Sequence, residues 1–259
     1  MQGSTPRLSD REPNPVLECR GLCKRFYYYE HRTTTLREWL IRFVLRKPIH
    51  VRRAEFELSD LNLRIEPGEF VALIGANGSG KSSLLRLMAG IYQPSEGSVV
   101  ARGRIAPIIE LGAGFHPELT GAENIALYAT VLGLGSRELA SRMDEIVAFS
   151  ELAQFLDTPV KYFSSGMTAR LAFSIAICVE PDILLLDEVL AVGDRAFRER
   201  CLAGLAAFHA RGGTIVLVTH ELDQARKLCS RAVWLDRGRI RMDGEATRVF
   251  DAYEQAQPR

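Results

Sequence analysis

EFVALIGANGSGKSSLLRLMAG, residues 69–90, decides the fold. Its opening, EFVALIG (69–75), reads as a short buried strand, and its close, KSSLLRLMAG (81–90), as a helix closed by Gly90. Joining them, Gly75, Ala76, Asn77, Gly78, Ser79, Gly80, Lys81, Ser82 and Ser83 fit G-x-x-x-x-G-K-[ST]. Glycines let backbone N–H groups close around a phosphate, and the helix N-terminus adds positive potential. Lys81 is expected to reach the β- and γ-phosphates of a nucleotide, and Ser82 to hold Mg²⁺. The competing reading, a glycine-rich turn that binds nothing, does not explain why strand, loop and helix follow in this order.

Further along, DILLLDEV (182–189) is a continuous apolar run of the buried parallel-strand type ending in two carboxylates, Asp187 and Glu188. An aspartate at such a strand end can complete a Mg²⁺ shell, and the adjacent glutamate is placed to polarise a water. TIVLVTH (214–220) is a second strand ending in a polar group, His220. YFSSGMTARLAFSIAI (162–177) begins with Ser164, Ser165 and Gly166, good residues for starting a helix, and continues as an apolar helical pattern. Those three residues either only start the helix or also hold an anion at its positive end.

The rest of the chain supports a parallel α/β core interrupted by a helical insertion. Val16 to Phe26 and Phe56 to Ile65 read as strands, Glu66-Pro67-Gly68 as a turn, and RAVWLDRGRIRMDG (231–244) as further strands. From about 111 to 178 the chain turns helical, with a capping-box spacing at Thr120 and Glu123. Residues 1–14 are polar and carry two prolines, with a third at Pro15, which reads as a disordered lead rather than a signal peptide, and 15–259 as one nucleotide-binding domain closing with strands and a helix over about 230–259. A formal charge of +1 gives no global field for nucleic acid. The five cysteines show no zinc-site or disulfide spacing, which suits a reducing cytoplasm, and no apolar run reaches the length of a membrane span.

A glycine-rich phosphate loop, a serine-glycine helix start, an apolar strand ending Asp-Glu and a strand-end His, in this order, resemble the ATP-binding cassette (ABC) ATPases over about residues 16–252. The resemblance implies a P-loop fold of ABC type: a mostly parallel core sheet, an antiparallel β subdomain and an inserted α-helical subdomain. It implies ATP and Mg²⁺ as cofactors, Glu188 as the residue directing water and His220 as the group sensing the γ-phosphate. Two copies are expected to pair head to tail, Ser164, Ser165 and Gly166 of one copy facing the γ-phosphate held by the other. Asp194, in LAVGD, matches the loop that crosses the dimer seam. Phe26, in CKRFYYY, matches the aromatic that stacks on adenine, although any of Tyr27 to Tyr29 could take that role. Glu110 falls where most of the family has a glutamine that touches Mg²⁺ and water.

Three stretches narrow the resemblance. ELGAGFHPELTGAENI (110–125), FSSGM (163–167) and DEVLAVGDRAF (187–197) look like the ATPases of O-antigen, capsule and teichoic acid exporters. Such a subunit is expected at the cytoplasmic face of the cytoplasmic membrane, with a separate transmembrane permease, two copies of it, docked near 110–118 and a lipid-linked polysaccharide as cargo. Some members carry a further C-terminal glycan-binding β-sandwich, which a chain ending at Arg259 is expected to lack. Residues 31–53 carry seven basic residues against Glu38, a local charge of +6, and an apolar stripe of Leu36, Trp39, Leu40, Phe43 and Val44. That is a basic amphipathic helix suited to a membrane surface or a membrane partner, or else packed on the chain's own sheet. A soluble cassette protein acting on ribosomes or DNA, and an exporter of another lipid or a drug, are the competing readings. One cassette, no long heptad run and near-neutral charge argue against the first.

Overall fold

The computed structural model describes residues 14–29, 52–109, 111–188 and 194–256. The lead before 14, the basic stretch 31–51, Glu110 and residues 189–193 lie outside the described residues. Two strands open the chain, β1 (Leu17–Tyr29) and β2 (Arg52–Ile65), each longer than the sequence pattern predicts. Next come β3 (Phe70–Ile74), α1 (Lys81–Met88), β4 (Glu96–Ala101) and β5 (Ile105–Ile108). Three helices follow, α2 (Gly121–Val131), α3 (Ser136–Ser150) and α4 (Ser165–Cys178), so the helical insertion begins only after a loop over 111–120. The chain then alternates through β6 (Ile183–Asp187), α5 (Arg195–Ala210), β7 (Thr214–Val218) and α6 (Leu222–Leu228), and closes with β8 (Arg231–Asp236), β9 (Arg239–Glu245) and α7 (Ala246–Ala256).

Among the described residues the strands make two sheets. One is antiparallel, in the order β2-β1-β4. The other, in the order β5-β6-β7-β3-β8-β9, is parallel from β5 to β8, with β9 turned back against β8. β3 lies between β7 and β8, so its fully buried FVALI run needs no polar face.

Strand alternation divides the interior into two clusters. Ala72, Ile74, Leu184, Leu186, Ile215, Leu217 and Trp234 point to the side covered by α2–α5 and α7. Val71, Leu73, Ile183, Leu185, Val216, Val218 and Leu235 point to the other side, where they meet Leu84, Leu85 and Met88 of α1 and the inner residues of β1 and β2. The parallel strands β3, β6 and β7 therefore end along one edge, where the polar groups collect.

Candidate functional site

β3 delivers the chain to Gly75, which must be glycine because a Cβ there would overlap the Leu235 carbonyl at the end of β8. The loop turns through Ala76 to Gly80 and α1 begins at Lys81 with no acidic residue in its first turn. Lys81 is 5% exposed. Its ammonium folds back to donate to the carbonyls of Gly75 (2.9 Å) and Ala76 (3.0 Å). Burial pulls its pKa down, opposed by the nearby charges of Glu188 and Asp187. The Ser79 hydroxyl is buried and has no hydrogen-bond partner among the described residues. A loop that parks a cation and leaves a hydroxyl unpaired is one prepared for an anion.

The neighbouring strand ends supply two carboxylates and a histidine. Asp187 pairs with Val218 across β6 and β7, and the Glu188 N–H donates to the Val218 carbonyl at 2.9 Å. Asp187 is half-buried and hydrogen-bonded to Ser82, the residue after Lys81; burial raises its pKa, and the Ser82 bond opposes that rise. Glu188 sits at φ 53, a left-handed conformation rare outside glycine, which turns its side chain out of the strand path. There its Oε1 lies 2.7 Å from His220 Nε2. Asn77, Gly78, Gly80, Lys81, Ser82, Ser83 and Glu188 line a cavity of about 350 Å³. A larger hollow of about 540 Å³, around Arg102, Glu180 and Arg211, lies by Asp182 and Thr214, at the opposite ends of β6 and β7. In sheets of this kind ligands bind at the carboxyl ends, which favours the smaller one.

Other residues singled out in the sequence stand apart from that cavity. Ser164 caps α4, its Oγ accepting from the Met167 N–H at 3.2 Å, and both Ser164 and Ser165 are exposed. A Cβ on Gly166 would meet only the Ser164 Oγ, at 3.8 Å. The Asp194 carboxylate is engaged within its own chain: Oδ1 caps α5 through the Phe197 N–H at 2.9 Å, and Oδ2 pairs with Arg170 of α4. These bonds lower its pKa, the Phe197 amide contributing most. Phe26 is half-buried, edge-on to Tyr92 with ring centres 5.6 Å apart, and Lys24 Nζ lies 5.5 Å from its ring centre. The side chains of Tyr27 to Tyr29 and the whole of Glu110 lie outside the described residues.

Two participants escaped the sequence reading. Tyr92 follows α1 by a short loop, and only its aromatic character marks it. Leu235 and the Arg237-Gly238 turn reach the phosphate loop from the far end of the chain. The signal available for the turn was a glycine between two strand-like runs.

Phosphate loop, buried lysine, serine-bonded aspartate and glutamate–histidine pair together define a nucleotide-hydrolysing P-loop protein. Residues 58–191 match the family described as ABC transporter. Over 94% of the chain there is 43% identity to the O-antigen export system ATP-binding protein RfbB of Klebsiella pneumoniae, of which 99% is covered. Over 77% of the chain there is 49% identity to the RfbB of Myxococcus xanthus, of which 46% is covered. The teichoic acids export ATP-binding protein TagH of Listeria innocua is 42% identical over 76% of the chain and 59% of its own length. Among solved structures, an ATP binding subunit of an ABC transporter superposes with a TM-score of 0.72 at 25% identity, covering 94% of this chain and 95% of its own. The chain belongs to the ABC transporter family and is an ATP-binding, ATP-hydrolysing subunit of it.

Proposed function

We propose that this chain supplies the ATP hydrolysis for export of a lipid-linked polysaccharide, an O-antigen, capsule or teichoic-acid-like glycan. It works as a head-to-tail pair on the cytoplasmic face of the cytoplasmic membrane, beneath a separately encoded permease present in two copies. The observation that carries this reading is end-to-end similarity to an O-antigen export system ATP-binding protein, 43% identity over 99% of that protein, and the pairing of Glu188 with His220 beside the phosphate loop supports it. Among the described residues no helix is long and apolar enough to cross a membrane, in keeping with a peripheral subunit that needs a membrane partner.

ATP fits the loop: the α1 N-terminus and the Gly78–Ser82 amides meet the phosphates, and Lys81 leaves its carbonyls for the β- and γ-phosphates. Mg²⁺ also fits. Among the described residues no cluster of three His, Cys, Asp or Glu could hold a metal ion, and an ion bound mainly through phosphate and water needs only Ser82 and Asp187. When bound, Mg²⁺ neutralises charge on the β- and γ-phosphates. Glu188 orients the attacking water and accepts its proton, and His220 leaves Glu188 to donate an N–H to the γ-phosphate. In the pair, Ser164 to Gly166 reach the partner's γ-phosphate; the exposed cap and the open space at Gly166 support that role. Phe26, or one of Tyr27 to Tyr29, stacks on adenine.

Mild-detergent capture of tagged protein from its native host tests the reading. A co-purifying multi-span membrane protein carrying a polyprenyl- or lipid-linked glycan is expected. A soluble protein associated with ribosomes or nucleic acid would leave the ATPase and remove the exporter.

A further inference from the structure

The hairpin between β8 and β9 turns on Arg237 (φ 48) and Gly238 (φ 76), both left-handed, as in a two-residue type I′ turn. The tip of this hairpin is wedged between two parts of the nucleotide site. The Gly238 N–H donates to the Ser79 carbonyl of the phosphate loop at 3.0 Å, and the Gly238 carbonyl accepts from the Ser59 N–H of β2 at 3.0 Å. On the loop side, the Leu235 carbonyl packs against Gly75. On the sheet side, a Cβ at position 238 would overlap the Glu57 carbonyl. Glu57 follows Phe56, whose backbone pairs with Phe26. A continuous line of backbone contacts thus runs from the phosphate loop, through Gly238, to the strand beside the aromatic run 26–29.

We infer that the Arg237-Gly238 turn is a spacer that sets the gap between the phosphate loop and the antiparallel sheet, and that Gly238 is a positioning residue for ATP. This rests on the reading that an aromatic of that sheet holds the adenine. The phosphate loop is braced from within by bonds that need neither the turn nor Lys81: the Ser79 N–H donates to the Ala76 carbonyl at 3.1 Å and the Leu84 N–H to the Gly80 carbonyl at 2.8 Å. Its shape therefore survives a shift of the turn. The distance from loop to sheet does not, and a ligand spanning both parts feels the change where one confined to the loop does not.

Comparing ATP with inorganic tripolyphosphate, which has the phosphates but no base, isolates that distance. Binding of each, with magnesium, is measured on the full chain and on Gly238→Ala, Ser59→Pro and Gly244→Ala. Ser59→Pro removes the N–H that holds the turn to β2. Gly244→Ala is the control, since a methyl there meets nothing within 4 Å. The parent is expected to prefer ATP about tenfold, the worth of one base–aromatic contact. Gly238→Ala and Ser59→Pro should hold tripolyphosphate as the parent does while the preference for ATP falls to about twofold or less. Gly244→Ala should keep the parent ratio. Equal loss of both ligands, or an unchanged ratio, in Gly238→Ala and Ser59→Pro overturns the proposal. A parent that binds neither ligand refutes the nucleotide reading itself, and one that binds both equally leaves no base contact to be spaced and refutes the spacer. If Gly238→Ala does not fold by circular dichroism, the ratio in Ser59→Pro decides.

Discussion

Glu188 and His220 come from different strands and meet because β6 and β7 are parallel neighbours ending together. Removing the carboxylate's charge while keeping its shape should separate binding from chemistry. Glu188→Gln is expected to bind ATP as the parent does, accumulate as a dimer on size exclusion with ATP, and lose turnover by about a hundredfold or more, on the scale of general-base removal. Normal turnover would take Glu188 out of that role. Cysteine chemistry is equally specific. Burial raises the thiols of Cys19, Cys178, Cys201 and Cys229 to about 12. A thiolate is the reactive form, so at pH 8 these four should resist iodoacetamide in the folded protein. Cys23, half-buried on β1 with its Sγ accepting from the Asp60 N–H at 3.3 Å, should be the one modified. Mass spectrometry should find one alkylated cysteine before denaturation and five after it.

At the scale of elements, the capping box opening α2 is complete. Thr120 Oγ1 accepts from the Glu123 N–H at 3.2 Å, and the Glu123 carboxylate accepts from the Thr120 N–H at 2.8 Å. The Thr120 amide is the main reason the Glu123 carboxyl titrates below its usual value. A lowered carboxyl stabilises the fold above its unfolded pKa and loses that contribution as pH falls through the folded value. Removal of the Glu123 carboxylate should therefore flatten the stability profile below about pH 4.5 and leave its shape at pH 7 to 9 unchanged. Thr120→Ala should cost about 1 kcal/mol in urea melts. This cap was legible in the sequence because its partners are three residues apart. The phosphate loop was legible for a similar reason, its residues being consecutive between a strand and a helix. β4 was not, since its residues are mostly exposed and EGSVVA shows no alternation to detect. The contact of Leu235 with Gly75 was not either, because no local pattern reports which strands lie side by side. For Asp194, expected in a loop that crosses a dimer seam, no sequence pattern reports that Arg170 and the start of α5 already occupy its carboxylate.

Among the described residues the mostly parallel sheet separates two cores, with the helix that follows the phosphate loop packed in one and the serine-glycine helix in the other. The three residues Ser164 to Gly166 do not line the phosphate cavity, and on the proposed head-to-tail pairing each chain would carry two incomplete halves of a site. Mixing two inactive variants tests this arrangement. Lys81→Ala disables the phosphate loop and Ser164→Arg the helix start. Each alone should be inactive, and an equal mixture should recover about a quarter to a half of parental hydrolysis, since mixed dimers retain one complete site. No recovery would mean that each chain completes its own site.

Gly166 carries the consequence furthest. Its φ is not left-handed, and a methyl group on it would touch almost nothing in its own subunit. Within a helix, alanine in place of glycine typically adds ~0.5–1 kcal/mol. Gly166→Ala should therefore melt higher than the parent while hydrolysing less ATP. On the proposed pairing, the missing methyl is the room left for another molecule's phosphate.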